Sequence, residues 1–349
     1  MNLNRVKKDI LGVKHAVAVS SATFGLEQSL RFIGVGAGAE VITTPLTFVA
    51  TAEVILRLGA KPVFADIDSE SLNIDPADVS RKITRRTKVI LPVDLGGNPA
   101  DYSALRSLAR ANKLSLLADS SHAFGAIYKG KSMGQLADAA VYSFQATKNL
   151  TCGEGGMVVS RTKKLTDTVR LIGKHGMSKS AHQRRGKNSW KYDVTVLGGK
   201  ANMPDILASI GVGELATFSK NQKKRERIAV RYLNNLSALS ELCQLPMVSK
   251  DSCHAWHLFI LRLNLSSLKV GRDSFIELMS KRGIECGVHY RPLFELTYYK
   301  QLGYNGKHLP VAELTGKQIL SLPMYPSLRL SDVDYVCESI RDILAKNRR

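Results

Sequence analysis

The sequence predicts an α/β fold in which a large domain, with a doubly wound and mostly parallel sheet, precedes a smaller α+β domain. Short apolar runs alternate with longer helical patterns along most of the chain, as they do when helices cover both faces of a sheet. The runs at 114–117 and 139–144 are too short for helices and almost wholly apolar, which is typical of buried parallel strands. The length of 349 residues allows about two domains, which we expect at 1–235 and 236–349.

The predicted elements follow in order from apolar periodicity and from glycine and proline at their ends. In the larger domain, strands are expected at 15–19, 40–44, 61–67, 88–95, 114–117 and 139–144. Helices are expected at 24–33, 47–59, 101–112 and 204–239, together with one that ends at 83 and one that begins at 166. In the smaller domain, strands are expected at 257–263 and 285–290, and helices at 272–283 and 331–345. Gly59 supplies a conventional helix stop, and Pro204 with Asp205 can open a helix.

Two charged side chains follow the central strands. Asp119 ends the first run, and Lys148 comes shortly after the second. Because ligands of open α/β sheets collect beyond the carboxyl ends of the strands, both side chains are expected to face one crevice. A carboxylate and an amine in one crevice suit pyridoxal phosphate, since its aldehyde forms a Schiff base with lysine and its ring nitrogen needs an anionic partner. The alternatives are a turn or helix cap for the aspartate and a solvated surface charge for the lysine.

A third element upstream makes the pair more specific. The strand-like run at 15–19 is followed by Ser20, Ser21, Ala22 and Thr23 and then by a helical pattern. Free backbone N–H groups and the helix dipole at such a helix start attract a phosphate, although this turn is not glycine-rich. Three neighbouring ends of elements would then supply partners for the phosphate, the ring nitrogen and the aldehyde.

Seven segments carry a resemblance to a known family. They are VSSATFGLEQSL (19–30), EVITTPLTFVAT (40–51), GAKPVFADID (59–68), ADSSHAFGAIYKGK (118–131), SFQATKNLTCGEGG (143–156), LGGKANMPDILASIG (197–211) and SLPMYP (321–326). Through these segments nearly the whole chain resembles the DegT–StrS family of nucleotide-sugar aminotransferases, which are pyridoxal-phosphate enzymes of fold type I. HAWHLFILRL (254–263) and the lysine segment are most similar to the members that aminate a UDP-linked 4-keto-pentose for lipid A modification.

The resemblance implies a role for each matching residue. Lys148 and Asp119 are implied as the catalytic pair, and Ser143 as a further phosphate ligand. Phe48 would stack on the pyridine ring, and His122 would contact the cofactor's face or its phenolic oxygen. Asn202 would reach across a dimer interface to the partner's cofactor phosphate, so that a homodimer shares its active sites. Without the resemblance, these would be read as a turn serine, a core phenylalanine, a hydrogen-bonded histidine and a loop asparagine.

Four residues are candidates for the substrate rim. Arg184 and Arg185 lie in a polar loop at 178–191 that could reach the substrate's phosphates, and His289 and Arg291 follow an expected strand. Arginine suits phosphate recognition, although surface charge is the ordinary reading of each one. The family frequently has a histidine at the position of Phe294, so no role of that histidine carries over.

The reaction implied by the resemblance is transamination in two halves. Glutamate gives its amino group to the cofactor, leaving 2-oxoglutarate, and a keto carbon of a nucleotide-diphosphate sugar then receives it, for cell-surface polysaccharide or lipid A sugars. A related branch has histidine in place of the lysine and dehydrates its substrate, so Lys148 favours transamination. The segment before the first matched strand is shorter than is usual in the family, which we expect to affect substrate binding.

Composition is ordinary except for charge. The formal net charge of +20 favours anionic partners such as nucleotide diphosphates, nucleic acid or acidic membrane surfaces. The competing hypotheses are therefore a non-catalytic regulatory or nucleic-acid-binding protein, for which no known motif is visible, and an inactive relative that still binds the cofactor. No apolar run approaches the roughly 20 residues of a membrane helix, and the N-terminus lacks a secretion signal, so a cytoplasmic location without membrane insertion is expected.

No metal site is expected. The five cysteines are scattered and include no CxxC pair, so neither a zinc site nor a disulfide framework is predicted. His254 and His257 are three residues apart, which in a strand places them on opposite faces and argues against shared ligation.

Overall fold

The computed structural model describes residues 10–178 and 190–349, so the predicted substrate residues Arg184 and Arg185 lie outside the described residues. The strands are β1 (His15–Val19), β2 (Glu40–Thr43), β3 (Lys61–Phe64), β4 (Thr87–Leu91), β5 (Ser115–Asp119), β6 (Ile127–Tyr128), β7 (Ala139–Ser143), β8 (Gly156–Ser160), β9 (Cys243–Gln244), β10 (Ser252–Cys253), β11 (Phe259–Leu263) and β12 (Ile319–Leu322). The α-helices are α1 (Ala22–Ile33), α2 (Ala50–Arg57), α3 (Pro76–Lys82), α4 (Tyr102–Ala111), α5 (Met133–Leu136), α6 (Lys163–Ile172), α7 (Asp205–Leu236), α8 (Arg272–Ser280), α9 (Thr297–Gln301), α10 (Pro310–Gln318) and α11 (Leu330–Lys346).

The larger sheet has seven strands in the order β1-β8-β7-β5-β4-β2-β3. β8 runs antiparallel to β1 and β7, and the other neighbouring pairs are parallel. Every residue of β2, β7 and β8 is buried, because both faces of the sheet are covered. The predicted α/β class with a mostly parallel sheet is confirmed.

Two hydrophobic cores form because successive residues of a strand point to opposite faces. On β5, Leu116 belongs to the core that includes Tyr102 of α4, whereas Leu117 belongs to the core that includes Leu26 of α1 and Val169 of α6. Strands β5 and β7 are thus packed between two layers of helices. This packing fixes the position of their carboxyl ends.

The smaller sheet has three antiparallel strands in the order β12-β11-β9. Phe259 of β11, Phe275 of α8 and Ile340 of α11 share a further core with Tyr232, which lies near the end of α7. α7 is therefore common to both parts of the chain. The predicted division at 235 and 236 stays a prediction, and it falls at the last turn of this helix.

Helix α1 ends where it was expected, at Ile33, but begins at Ala22, two residues before the expected Phe24. Ser21 is the N-cap, and its hydroxyl accepts a hydrogen bond from the Phe24 N–H at 3.2 Å. Gly34 ends the helix in the left-handed conformation, at a φ of 88°. A Cβ on Gly25 would lie 2.8 Å from a methyl carbon of Val158, so glycine allows α1 to approach the sheet closely.

Several predicted elements are wrong in extent. The strands expected at 61–67 and 88–95 end at Phe64 and Leu91, and two further elements begin later than expected. The helix expected from Thr47 begins at Ala50, because the Thr51 and Ala52 N–H groups bond three residues back, to the Phe48 and Val49 carbonyls, as in a turn. The strand expected at 257–263 begins at Phe259, because the His257 N–H bonds to the Gly96 carbonyl instead of to a neighbouring strand.

One predicted strand is absent. The strand expected at 285–290 reduces to one bridge between Gly287 and Ser321. Beyond it the chain leaves the smaller sheet, and the Leu293 N–H bonds to the Pro45 carbonyl of the larger domain. This departure carries residues 289 and 290 toward the ends of the parallel strands. Among the described helices, none combines the length and apolar character needed to span a bilayer.

Candidate active site

A cavity of about 480 Å³ opens where the carboxyl ends of β5 and β7 meet the start of α1. Nine predicted site residues line it: Ser21, Ala22, Thr23, Phe48, Asp119, His122, Ser143, Lys148 and His289. The volume lies within the range of about 300–1,000 Å³ that is typical of small-molecule sites. Because β5 and β7 are parallel neighbours, Asp119 and Lys148 reach this cavity from the same edge.

Asp119 is buried at the end of β5 and held by three donors. The Thr51 hydroxyl donates to Oδ2 at 2.8 Å, and the Ser121 hydroxyl and N–H donate to Oδ1 at 2.6 and 3.2 Å. The Thr51 hydroxyl also bonds to that of Thr47 at 2.8 Å. A carboxylate has about four acceptor sites, so Asp119 retains capacity for a ring N–H. The two threonines and Ser121 were not predicted, although they stand in the matched segments around 47–51 and 118–122.

Lys148 lies in a tight turn after β7. Its N–H bonds to the Gln145 carbonyl at 2.9 Å, and the Gln145 side chain accepts from the Thr147 N–H and hydroxyl. Burial lowers the pKa of the Lys148 amine to about 8, and the nearby charge of Asp119 acts in the opposite direction. Much of the amine is therefore neutral near pH 8, as a nucleophile or a general base requires.

The start of α1 offers a site for a phosphate. The Phe24 and Gly25 N–H groups are satisfied by Ser21, whereas those of Ala22 and Thr23 have no acceptor in the described part of the chain. A Cβ on Gly156 would lie 2.6 Å from the Ala22 nitrogen, so glycine is needed for β8 to pass this close. Free N–H groups at the positive end of a helix bind anions well.

His122 is buried, and both of its ring nitrogens have partners. The Gly96 N–H donates to Nδ1 at 3.3 Å, and Nε2 lies 3.1 Å from the Tyr290 hydroxyl. The Tyr290 ring also stacks on the imidazole, with 6.0 Å between centroids. The pKa of His122 is well below its usual range, first because of burial and then because of Lys148 and His289. His122 is therefore a neutral imidazole with its hydrogen bonds already made.

Two further predicted residues lie at the side of the cavity. Phe48 is 56% exposed and not in the core, so its ring is available for stacking. His289 Nδ1 lies 2.9 Å from the Ser321 hydroxyl, and burial, followed by the charge of Lys148, lowers the pKa of His289. Phe294, which stands where the family frequently has a histidine, is buried in a separate hydrophobic core.

Two predicted residues do not line this cavity. Arg291 pairs with Glu295 at 3.6 Å, and its side chain is largely exposed. Asn202 lines a different cavity with Val17 and Arg170, and its buried Oδ1 has no partner in the described residues. Within one chain, Asn202 therefore does not contact the site around Lys148.

A hydrogen-bonded layer behind Lys148 escaped the sequence analysis. Asn149 donates through Nδ2 to the Ala255 carbonyl at 2.5 Å, and its Oδ1 lies 3.2 Å from His257 Nδ1. Gln222 of α7 also donates to that carbonyl, at 2.9 Å. The HAWH segment thus holds the side chain of Asn149, the residue that follows Lys148. The repeated histidines were a visible signal, but Asn149, the partner of His257, is 108 residues away in the chain.

A comparison with protein-family models decides the class. Residues 2–341 match the DegT/DnrJ/EryC1/StrS aminotransferase family. The chain belongs to this family. Family members include the spore coat polysaccharide biosynthesis protein SpsC of Bacillus subtilis, which is 43% identical over 337 residues, or 96% of this chain and 86% of SpsC.

Solved structures agree with this family. Helicobacter pylori PseC, an aminotransferase involved in pseudoaminic acid biosynthesis, is 31% identical with a TM-score of 0.89, over 98% of this chain and 90% of PseC. Spr1654 of Streptococcus pneumoniae, whose name assigns it as a sugar aminotransferase, is 31% identical with a TM-score of 0.92 over 98% of this chain and 90% of that one. It has been solved in PLP and PMP forms.

This DegT/DnrJ/EryC1/StrS chain is a pyridoxal-phosphate-dependent aminotransferase of fold type I. The residues present fit the cofactor, because the cavity offers a carboxylate, a partly neutral amine and free N–H groups of a helix start. This membership favours the enzyme over the non-catalytic alternative.

Proposed function

We propose that this protein moves the amino group of glutamate to a keto carbon of a nucleotide-linked deoxysugar, for a cell-surface polysaccharide or for lipid A sugars. The observation that carries the proposal is that the Lys148 amine, with its lowered pKa, and the buried Asp119 carboxylate line one cavity. The proposed catalytic residues are Lys148 and Asp119, and the proposed cofactor-binding residues are Ser21, Ala22, Thr23, Phe48, Asp119, His122, Ser143, Lys148 and Asn202. We further predict a cytoplasmic location.

The side chains of the cavity have distinct tasks in this reaction. Bound pyridoxal phosphate supplies an electron sink and carries the amino group between the two substrates. Asp119 holds a proton on the ring nitrogen through a charge-assisted hydrogen bond. The Lys148 amine takes the proton from the α carbon of glutamate, and its lowered pKa favours this neutral base. The N–H groups of Ala22 and Thr23 hold the phosphate, which keeps the reacting carbon beside the amine.

A sugar as the acceptor is supported by the names of relatives. SpsC is named for spore coat polysaccharide biosynthesis, and PseC for the biosynthesis of pseudoaminic acid. The narrower similarity to the lipid A enzymes remains a prediction. His289, which lines the cavity, and Arg291 are proposed for the substrate rim. Arg184 and Arg185 are proposed to reach the substrate's phosphates.

A homodimer with shared sites is part of the proposal. Three large apolar side chains near Asn202 are exposed, with Leu197 at 78%, Ile206 at 77% and Ile210 at 47%. A second copy that covers this face would bury these three side chains. It would also bring the Asn202 side chain, whose Oδ1 has no partner in the described residues, within reach of groups of the second copy. Among the described residues that line the cavity, Lys148 is the one lysine or arginine, so a polar group from a partner would help to bind a phosphate.

The experiment that tests the function is an absorption spectrum of the protein with pyridoxal phosphate, before and after glutamate. A visible band that bleaches with glutamate is expected, and it should be absent in Lys148→Ala but present in the control Lys164→Ala, which changes an exposed lysine. A band in Lys148→Ala would contradict the assigned lysine. A band that persists with glutamate in the wild type would favour the inactive relative. If the band bleaches as expected, a panel of nucleotide-linked keto sugars would then identify the acceptor.

A further inference from the structure

The tautomer of His122 is determined by its neighbours. Nδ1 accepts a hydrogen bond from the Gly96 N–H, so that nitrogen carries no proton. A neutral imidazole has one donor and one acceptor, and the remaining proton must therefore be on Nε2. Nε2–H then donates to the Tyr290 oxygen, 3.1 Å away. Burial lowers the pKa of His122 and keeps the ring in this neutral form.

The hydroxyl proton of Tyr290 has no acceptor among the described residues. The Tyr290 oxygen accepts from His122, so its own O–H must donate elsewhere, and no acceptor for it exists among the described residues. Burial, and then the charge of Asp119, raises the pKa of Tyr290, so the hydroxyl keeps its proton. Tyr290 lines the cavity, and this O–H is therefore available to a bound molecule.

The other side-chain hydroxyls around Asp119 and Lys148 are already committed. Thr51 and Ser121 donate to the Asp119 carboxylate, Thr47 bonds to Thr51, and Thr147 donates to Gln145. Thr23 belongs to the start of α1, on the side that suits the phosphate. The Ser143 hydroxyl accepts from the Gln145 N–H at 3.4 Å, and its own proton is assigned to the phosphate in the proposal above. Among the described hydroxyls that line the cavity, the one of Tyr290 is then neither committed to a protein group nor assigned to the phosphate.

The chemistry of the cofactor identifies the acceptor. In the placement proposed above, its ring nitrogen would face Asp119, its aldehyde carbon would face Lys148 and its phosphate would face α1. The remaining polar atom is the phenolic oxygen, on the edge that is opposite the phosphate arm and runs between the nitrogen and aldehyde ends. Tyr290 and the His122 to which it bonds at 3.1 Å line the same cavity as Asp119 and Lys148, so the pair lies beside both ends of that edge.

We propose that Tyr290 donates a hydrogen bond to the phenolic oxygen of pyridoxal phosphate, and that Gly96 and His122 are positioning residues that set its direction. His122 itself then contacts the cofactor through its ring and not through a nitrogen. The inference rests on the cofactor and not on the identity of the sugar, so its test uses no sugar.

The test is a pH titration of the absorbance of the cofactor-loaded enzyme. In Tyr290→Phe the ring contacts remain, but the phenolic oxygen loses its donor. The chromophore formed with Lys148 should then keep its proton to higher pH, with a shift of about one pH unit, and cofactor affinity should fall by about tenfold. The matched control is Tyr298→Phe, which changes a tyrosine that is 60% exposed and should leave the titration as in the wild type.

His122 provides a second arm. In His122→Gln, an amide oxygen can accept from Gly96 while the amide NH₂ donates to Tyr290, so the titration should remain near that of the wild type. His122→Leu removes both bonds and should shift the titration as Tyr290→Phe does. An unchanged titration in Tyr290→Phe would overturn the proposal, whether or not His122→Leu folds. Equal shifts in the Gln and Leu variants would overturn the positioning role of His122.

Discussion

At the scale of single residues, the environment of Lys148 is the main determinant of its chemistry. An amine on the surface is protonated at neutral pH, but burial lowers the pKa of Lys148 to about 8. The charge of Asp119 partly offsets this effect, and three donors orient that carboxylate. The residue types were visible in the sequence, whereas this mutual placement arises from two neighbouring parallel strands.

The stability of the cofactor-free protein should depend on Lys148. A lysine whose pKa falls on folding destabilises the folded state below that pKa, and stability rises as the pH passes from about 8 to 10.5. Lys148→Met should therefore raise the free energy of unfolding at pH 7 by about 1–3 kcal/mol. Urea unfolding of the apoprotein measures this, with the exposed Lys164→Met as control. Equal stability of Lys148→Met and the wild type at pH 7 would contradict the lowered pKa.

Thr51 should support catalysis through Asp119. Thr51→Val removes a 2.8 Å hydrogen bond to Asp119 Oδ2 while keeping the shape of the side chain. Because the carboxylate loses a partner that orients it, we expect kcat to fall by about tenfold. Steady-state rates with saturating cofactor measure this effect. The matched control is Thr217→Val on the exposed side of α7, and a similar fall in both variants would argue against a specific role of Thr51.

At the scale of elements, the start of α1 depends on how closely β8 passes beneath it. Ser21 caps the helix, and Gly156 of β8 leaves room for the Ala22 nitrogen. The cap was visible as a serine before a helical pattern, but the need for glycine at 156 was not, since it comes from contact between distant segments. A phosphate site here is thus a property of α1 and β8 together.

Gly156→Ala should weaken both the fold and cofactor binding. The added Cβ would lie 2.6 Å from the Ala22 nitrogen and 2.7 Å from the Ser21 carbonyl carbon, so the helix start must shift. We expect a loss of about 1–3 kcal/mol in stability, together with weaker binding of pyridoxal phosphate. Thermal unfolding and a cofactor titration measure the two effects. Gly36→Ala is the control, because its Cβ would meet its nearest atom at 4.0 Å, and unchanged cofactor affinity in Gly156→Ala would contradict the proposed cradle.

At the scale of the whole molecule, the proposed dimer can be tested by mixing two inactive variants. Lys148→Ala lacks the amine and Asn202→Ala lacks the amide, so in a mixed dimer one site would retain both groups. We expect each variant alone to have low activity and the co-expressed mixture to recover part of it. A matched mixture of Lys148→Ala with Asp119→Asn, which removes two groups of the same cavity, should recover none if each cavity draws both groups from one chain. Recovery in neither mixture would contradict sharing through Asn202.

Much of this protein follows from local sequence patterns. The alternation of strands and helices, the cap at Ser21 and the charged residues after β5 and β7 depend on residues near one another in the chain, so periodicity and turn chemistry predict them. The predicted strand at 285–290 was wrong because alternating apolar residues, here Cys286, Val288 and Tyr290, are typical of a strand whether or not its backbone has a partner.

The sequence by itself determined the α/β architecture and the presence of a lysine and an aspartate at adjoining strand ends. Only the tertiary structure decided which groups surround them. Thr51 reaches Asp119 across 68 residues of chain, and Tyr290 reaches His122 across 168. Such contacts depend on how distant segments cross at the edge of the sheet, and no local pattern of residues encodes that crossing.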